Sequence, residues 1–200
     1  GGAITIMEQA ILEFQAVTGT QKRFHLTDVN FTLYSGFIYA ITGENGAGKT
    51  TLMNYILNET KTYTGHILYQ GTDIENRHAE AMQNIGFVSE EQSFFEDRTG
   101  IQNAQLLGMF YEHFDMEMFT QSLEKLNLSG RKTYRALSRG ERMKFQLAFA
   151  IAHNSKLYLL DEATAGMDPV FRIEFFDMLR SLLCDEETCV LMTSHNTSEI

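Results

Sequence analysis

Two hundred residues, 44% hydrophobic and 12% aromatic, are enough for one packed domain or one domain with an inserted lobe. A formal charge of −10 argues against the clustered positive face that nucleic-acid binding needs, so no nucleic-acid partner is expected. No apolar run is long enough to cross a bilayer, and Cys184 and Cys189 fit no metal-ligand spacing and read as reduced thiols.

Gly1 to Ile6 reads as the remnant of a cloning or cleavage tag, with Met7 as the natural start and residues 7–200 as one domain. Ala10–Val17 and Leu26–Leu33 read as strands, the second with Val29, Phe31 and Leu33 alternating toward one face. Tyr34-Ser35-Gly36 then turns the chain into a short apolar run, Phe37–Thr42, expected as a buried strand. A helix is predicted over Thr51–Leu57, and short strands over His66–Tyr69 and Ile85–Val88. Between Thr99 and Leu128 the period becomes helical. Leu106, Met109, Phe110 and His113 share one face, and Phe119, Leu123 and Leu126 share a face of a second helix. This block reads as an inserted helical lobe, about residues 90–140. Beyond it come a helix over Gly140–His153, a buried strand over Leu157–Leu160, a helix over Pro169–Leu183 and a strand over Thr188–Thr193. Strands alternating with helices imply an α/β fold with a mostly parallel central sheet and an antiparallel β patch near the N-terminus.

Three stretches carry the chemistry. The first is Gly43-Glu44-Asn45-Gly46-Ala47-Gly48-Lys49-Thr50-Thr51, which fits the phosphate-loop pattern G-x-x-x-x-G-K-[ST]. Glycines let successive backbone N–H groups turn inward on phosphate oxygens. Lys49 adds charge at the β/γ-phosphates, the Thr50 hydroxyl can ligate Mg²⁺, and the following helix adds its positive end. A Gly-rich turn with an incidental Lys lacks this context of a strand before and a helix after. The second stretch, Leu157-Tyr158-Leu159-Leu160-Asp161-Glu162, places two carboxylates at the carboxyl end of a buried strand, where open α/β sheets bind ligands. Asp161 can hold Mg²⁺ through water, and Glu162 can orient or deprotonate a water aimed at the γ-phosphate. The third, Leu137-Ser138-Arg139-Gly140-Glu141 before a helix, offers a Ser hydroxyl and a Gly N–H as a second anion-binding corner.

In their order these motifs resemble the nucleotide-binding domain of ATP-binding-cassette (ABC) ATPases, a P-loop NTPase fold whose signature LSGGQ is matched here by the variant LSRGE. The resemblance assigns Ala165-Gly166-Met167-Asp168 to the D-loop and His195 to the switch histidine. It implies ATP and Mg²⁺ as ligands and a homodimer, or a pair with a related ATPase, that sandwiches two nucleotides. Ser138 and Gly140 would then touch the γ-phosphate held by Gly43 to Thr51 of the partner, with His195 on the γ-phosphate and the attacking water. It further implies an ATP-hydrolysing transporter subunit, working with a membrane-spanning subunit on a separate chain and held by it at the cytoplasmic face of the membrane.

Departures from the family pattern are informative. Ser89-Glu90-Glu91 stands where a Gln closes the strand before the Q-loop, so Glu90 is expected to approach Mg²⁺ or a water in its place. An acidic residue here, with Phe94-Phe95-Glu96-Asp97-Arg98-Thr99-Gly100 and Arg142 to Ala148, resembles the bacitracin- and lantibiotic-type peptide-resistance exporters. No aromatic stands near Thr20-Gln21 to stack on adenine, leaving Phe24 or His25 as substitutes. Ala163 replaces the usual Pro after the Glu, with little expected consequence. Phe94-Phe95 fits either a core filler or a groove for a short helix of the membrane subunit. The chain stops soon after His195, where family members continue with a strand and a helix, so a truncated chain is expected. The competing readings are a non-transport ABC protein, or a nucleotide-dependent binding module with weak hydrolysis.

Overall fold

The computed structural model describes residues 10–21, 24–43 and 48–194, with nothing of the side chains of Gln21 and Thr50. The tag expected at residues 1–6, the loop residues Glu44 to Ala47 and the switch histidine expected at His195 lie outside the described residues.

Two sheets carry the fold. Strands β1 (Ala10–Gln21) and β2 (Phe24–Tyr34) form a long antiparallel hairpin, longer at its tip than the sequence predicts. Strand β3 (Ile38–Thr42) follows, then helix α1 (Lys49–Leu57), and β4 (Thr64–Tyr69) and β5 (Thr72–Asp73) return to the hairpin to complete the sheet order β2-β1-β4-β5. Helix α2 (His78–Asn84), which the pattern does not reveal, leads into β6 (Ile85–Val88). After α3 (Gly100–Leu107), α4 (Met116–Lys125) and α5 (Arg139–Ala152) come β7 (Leu157–Asp161), α6 (Pro169–Leu182) and β8 (Cys189–Ser194). The second sheet has the order β3-β8-β7-β6 and is parallel throughout, as the alternation of strands and helices predicts.

Alternation along β7 and β8 divides the interior into two cores. Leu157, Leu159, Cys189 and Leu191 point to one side, where Leu52, Met53, Tyr55 and Ile56 of α1 lie between the two sheets against Leu12, Phe14 and Ile67. Tyr158, Leu160, Val190 and Met192 point to the other, against α5, α6 and the helical segment. A parallel sheet covered on both faces needs such continuous apolar strands. The residues predicted as one face of the second lobe helix, Phe119, Leu123 and Leu126, are all buried in this second core.

Two expectations need correction. The strand before the phosphate loop is not buried: Ile38, Tyr39 and Ile41 are half-buried and Ala40 and Thr42 exposed. Among the described residues β3 pairs only with β8, so it lies at the sheet edge with a strand neighbour on one side. Nor do Leu106, Met109, Phe110 and His113 share one face of a single helix. The α-helix ends at Gly108, where a side chain would strike the Phe114 ring at 2.6 Å, and the chain tightens into a 3₁₀ turn over Gly108–Phe110. Met109 and Phe110 are thereby left 81% and 75% exposed, and Leu106 and His113 also face solvent. Phe94 is a core filler, its ring 4.8 Å from that of Phe145 and 5.2 Å from that of Tyr134, whereas Phe95 is exposed.

Candidate nucleotide site

The carboxyl ends of β3, β7 and β8 meet at one place, and so do the residues predicted to handle phosphate. Helix α1 has Gly48 as its N-cap, whose left-handed φ of 87° suits glycine, and among the described residues no side chain caps its first N–H groups. Uncapped amides at a helix start favour an anion. A methyl group on Gly48 would also sit 2.9 Å from Leu26 Cδ2, so the β1–β2 hairpin lies against the end of the loop. Phe24 and His25, the substitutes for an adenine platform, are exposed on that hairpin, with His25 Nδ1 2.6 Å from Thr20 Oγ1.

Lys49 is buried at the first position of α1. Its ammonium donates to the carbonyls of Gly43, at 2.8 Å, and Ser194, at 3.0 Å, so the ends of β3 and β8 aim it. The Glu162 carboxylate lies 3.7 Å away. Thr50 and Thr51 stand in the same first turn, and Thr51 is buried. Asp161 ends β7 in a buried position and accepts a hydrogen bond from Thr193 Oγ1 at 2.9 Å. Glu162 has a left-handed φ of 50°, and its N–H reaches the carbonyl and the hydroxyl oxygen of Thr193, at 3.2 and 3.1 Å. That sharp turn off the strand puts Asp161 and Glu162 in different surroundings although they are sequence neighbours. Three of the predicted groups, Lys49, Asp161 and Glu162, are thus joined through β8.

No cluster of three His, Cys, Asp or Glu side chains able to hold a metal exists among the described residues. The donor set still suits Mg²⁺, which takes one or two protein oxygens and completes its octahedron with phosphate and water. A single buried carboxylate, Asp161, at the strand end whose next residue, Glu162, lies 3.7 Å from the buried Lys49, fits that description. Glu90, the other expected metal residue, is engaged differently: its carboxylate accepts from Arg139 Nε on the rim of a cavity of about 450 Å³ also lined by Tyr134, Leu137 and Arg142.

At the third stretch, Ser138 is the exposed N-cap of α5 and closes a capping box. Its hydroxyl oxygen accepts from Glu141 N–H at 3.2 Å, and the Glu141 carboxylate accepts from Ser138 N–H at 3.0 Å. Partial burial opposes the charge on Glu141, but the Ser138 N–H and Lys132 outweigh it and hold its carboxyl below the usual range. The cap leaves the Ser138 hydroxyl proton for a further acceptor. Gly140 is required by packing, since a methyl group there would meet Phe171 of α6 at 2.9 Å. Asp168, at the end of the D-loop stretch, caps α6 through the N–H groups of Val170 and Phe171.

The sequence pattern missed two residues of α5. Arg139 reaches back to the carbonyls of Glu162, Ala163 and Ala165, at 2.6, 3.2 and 2.6 Å. Gln146, buried in mid-helix, pairs with both the N–H and the C=O of Ser89, at 2.8 and 2.9 Å. A polar residue set among the apolar Phe145 and Leu147 to Ala152 of α5 was the available signal for Gln146.

Residues 26–165 match the family model described as ABC transporter. The chain belongs to the ABC transporter family. This ABC domain is an ATP-binding one, of a family of ATPases, and its mixed α/β fold is that of the cassette. It is 31% identical over 186 residues to the ABC transporter ATP-binding protein YtrB of Bacillus subtilis, covering 93% of the chain and 62% of YtrB. It is 30% identical to the bacitracin transport ATP-binding protein BcrA of Enterococcus faecalis, covering 86% of the chain and 56% of BcrA. The domain thus spans about three fifths of such curated relatives. Among solved structures, cbiO1 from Clostridium perfringens, part of the ABC transporter complex cbiONQ, superposes with a TM-score of 0.77 at 23% identity, covering 94% of this domain and 80% of cbiO1. At that identity the likeness shows the fold.

Proposed function

We propose that this chain is the ATP-hydrolysing subunit of a bacterial exporter of peptides or antimicrobial compounds, working as a dimer that sandwiches two ATP molecules. The carrying observation is the convergence of Lys49, Asp161 and Glu162 at the carboxyl ends of β3, β7 and β8. Two relatives, a bacitracin transport ATP-binding protein and a daunorubicin resistance ATP-binding protein, favour this substrate class.

Gly43 to Thr51 supply the backbone amides and the charge for the phosphates. Lys49 is held by two carbonyl oxygens, which a phosphate can replace as partners of its three N–H donors. Mg²⁺, when bound, would be held by Thr50 and Asp161 and would neutralise charge on the phosphates. Glu162, turned off the strand beside Lys49, orients the water and takes its proton. His195 directly follows Ser194, whose carbonyl already binds Lys49, which supports its place at the γ-phosphate. Ser138 and the Gly140 N–H complete the nucleotide seat of a second copy. Among the described residues no helix is long and apolar enough to cross a membrane. For transport we place the membrane-spanning part on another chain, with this domain at its cytoplasmic side, as the family resemblance implies.

Glu162→Gln tests the reading. Turnover falls about 10²–10⁴-fold, the range of a lost general base, while ATP drives a stable dimer detectable by light scattering. A variant that hydrolyses at the parent rate removes Glu162 as the base.

A further inference from the structure

Position 139 lies within the signature, where the family pattern has glycine, and its side chain turns back into its own chain. The guanidinium has five N–H donors in a rigid plane. Two of its nitrogens donate to the carbonyls of Glu162, Ala163 and Ala165, and Nε donates to the Glu90 carboxylate. One side chain therefore joins three parts of the site: the start of α5, the loop after β6, and the backbone that follows the proposed base.

The consequence for Glu162 is specific. Its N–H is tied to Thr193 of β8 and its C=O to Arg139, while φ is 50°. A left-handed non-glycine residue persists where neighbouring bonds hold it. The Glu162 carbonyl also accepts from Ala165 N–H, at 3.2 Å, closing the turn that Arg139 spans. A lysine, with one tetrahedral nitrogen, cannot serve these acceptors together. Glu90 brings the countercharge, and its own loop is fixed next door by Gln146 on Ser89.

We propose that Arg139 is a positioning residue for hydrolysis: it sets the backbone of Glu162 to Ala165, and Glu90 serves as its countercharge instead of as a ligand of Mg²⁺. This pairing explains why an acid at 90 and an arginine at 139 occur together in one chain. It rests on the reading of Glu162 as the base, and the readouts separate the two ideas.

Arg139→Ala, Glu90→Ala and the double variant are compared with the parent chain. Arg139→Ala lowers kcat at least 10-fold with the KM for ATP changed less than 3-fold, and Arg139→Lys restores only a minor part. The double variant is no slower than Arg139→Ala alone, because the two residues act as a unit. The Mg²⁺ concentration needed for half-maximal turnover stays within 2-fold in Glu90→Ala. Effects that multiply in the double variant, a 10-fold higher Mg²⁺ requirement, or full activity of Arg139→Ala each overturn the proposal. Hydrogen exchange gives a readout without nucleotide: the Ala165 amide exchanges at least 10-fold faster in Arg139→Ala, while Leu159 and Leu191 in the central strands keep the parent rate. Unchanged exchange at Ala165 overturns the proposal whether or not the chain hydrolyses ATP. If exchange rises as expected but the parent chain and Glu162→Gln turn over alike, the proposed hydrolytic role fails, and the proposal with it.

Discussion

Two cations flank Glu162, and they are held in opposite ways. Lys49 approaches from the phosphate-loop side and binds two carbonyls through an ammonium on a flexible stem. Arg139 approaches from the signature side and spreads a planar fork over three carbonyls and a carboxylate. Lys49 is the more deeply buried, its side chain 5% exposed against 31% for Arg139. Burial alone would make Lys49 the structural member of the pair. The bonding says the reverse. An ammonium can exchange carbonyl partners for phosphate without disturbing the loops that supply them, whereas moving the arginine fork would release the backbone of Glu162 to Ala165.

The comparison is broken most sharply at Lys49. Lys49→Ala should weaken Mg-ATP binding about 100-fold or more by calorimetry, the effect of losing a charge-assisted contact in a buried site. Unchanged binding would remove the phosphate-loop assignment. An effect of similar size, on stability instead of binding, is expected at Gln146, which lies on the same helix as Arg139 and supports the same loop. Gln146→Leu leaves the N–H and C=O of Ser89 and the Tyr134 hydroxyl without this partner. Stranding buried groups of this kind costs about 3 kcal/mol of stability in urea unfolding. A parent-like midpoint would show that water replaces the amide and that α5 does not fix the loop.

The two cations also differ in how readable they were. Lys49 belongs to a fixed spacing of glycines and so announces its chemistry in the sequence. The parallel sheet and the two carboxylates at the end of β7, with Glu162 near Lys49, follow from apolar runs and carboxylate placement in the same manner. Arg139 sits in a recognisable motif yet was invisible, because its partners are main-chain carbonyls twenty-three to twenty-six residues away, which no side-chain pattern encodes. The failures at β3 and at Met109 and Phe110 have a common cause. Periodicity reports that a face is apolar, while sheet order and the turn at Gly108 decide whether anything covers it.

The smallest expected effect tests the far end of α5, away from both cations. His153 is buried just beyond that helix, its ring stacked 4.0 Å from Tyr111 and its Nδ1–H donating to the Gln83 carbonyl at 3.0 Å. Burial pushes its imidazole down from 6.5 to about 4, so it stays neutral in the folded chain where the unfolded chain takes up a proton. The unfolded state then binds more protons between about 4 and 6.5, and stability falls as pH drops through that window. Glu141, Glu174 and Asp185, held below their ordinary values of 4.5, 4.5 and 3.8, add their own losses mainly below that upper value. Moving from pH 7 to pH 5 should therefore cost about 2 kcal/mol through His153. His153→Gln keeps a donor for Gln83 but cannot take up the proton, so its urea midpoint should change little across the same interval. An equal slope in parent and variant would assign the pH dependence to another group and leave the end of α5 without a titrating residue.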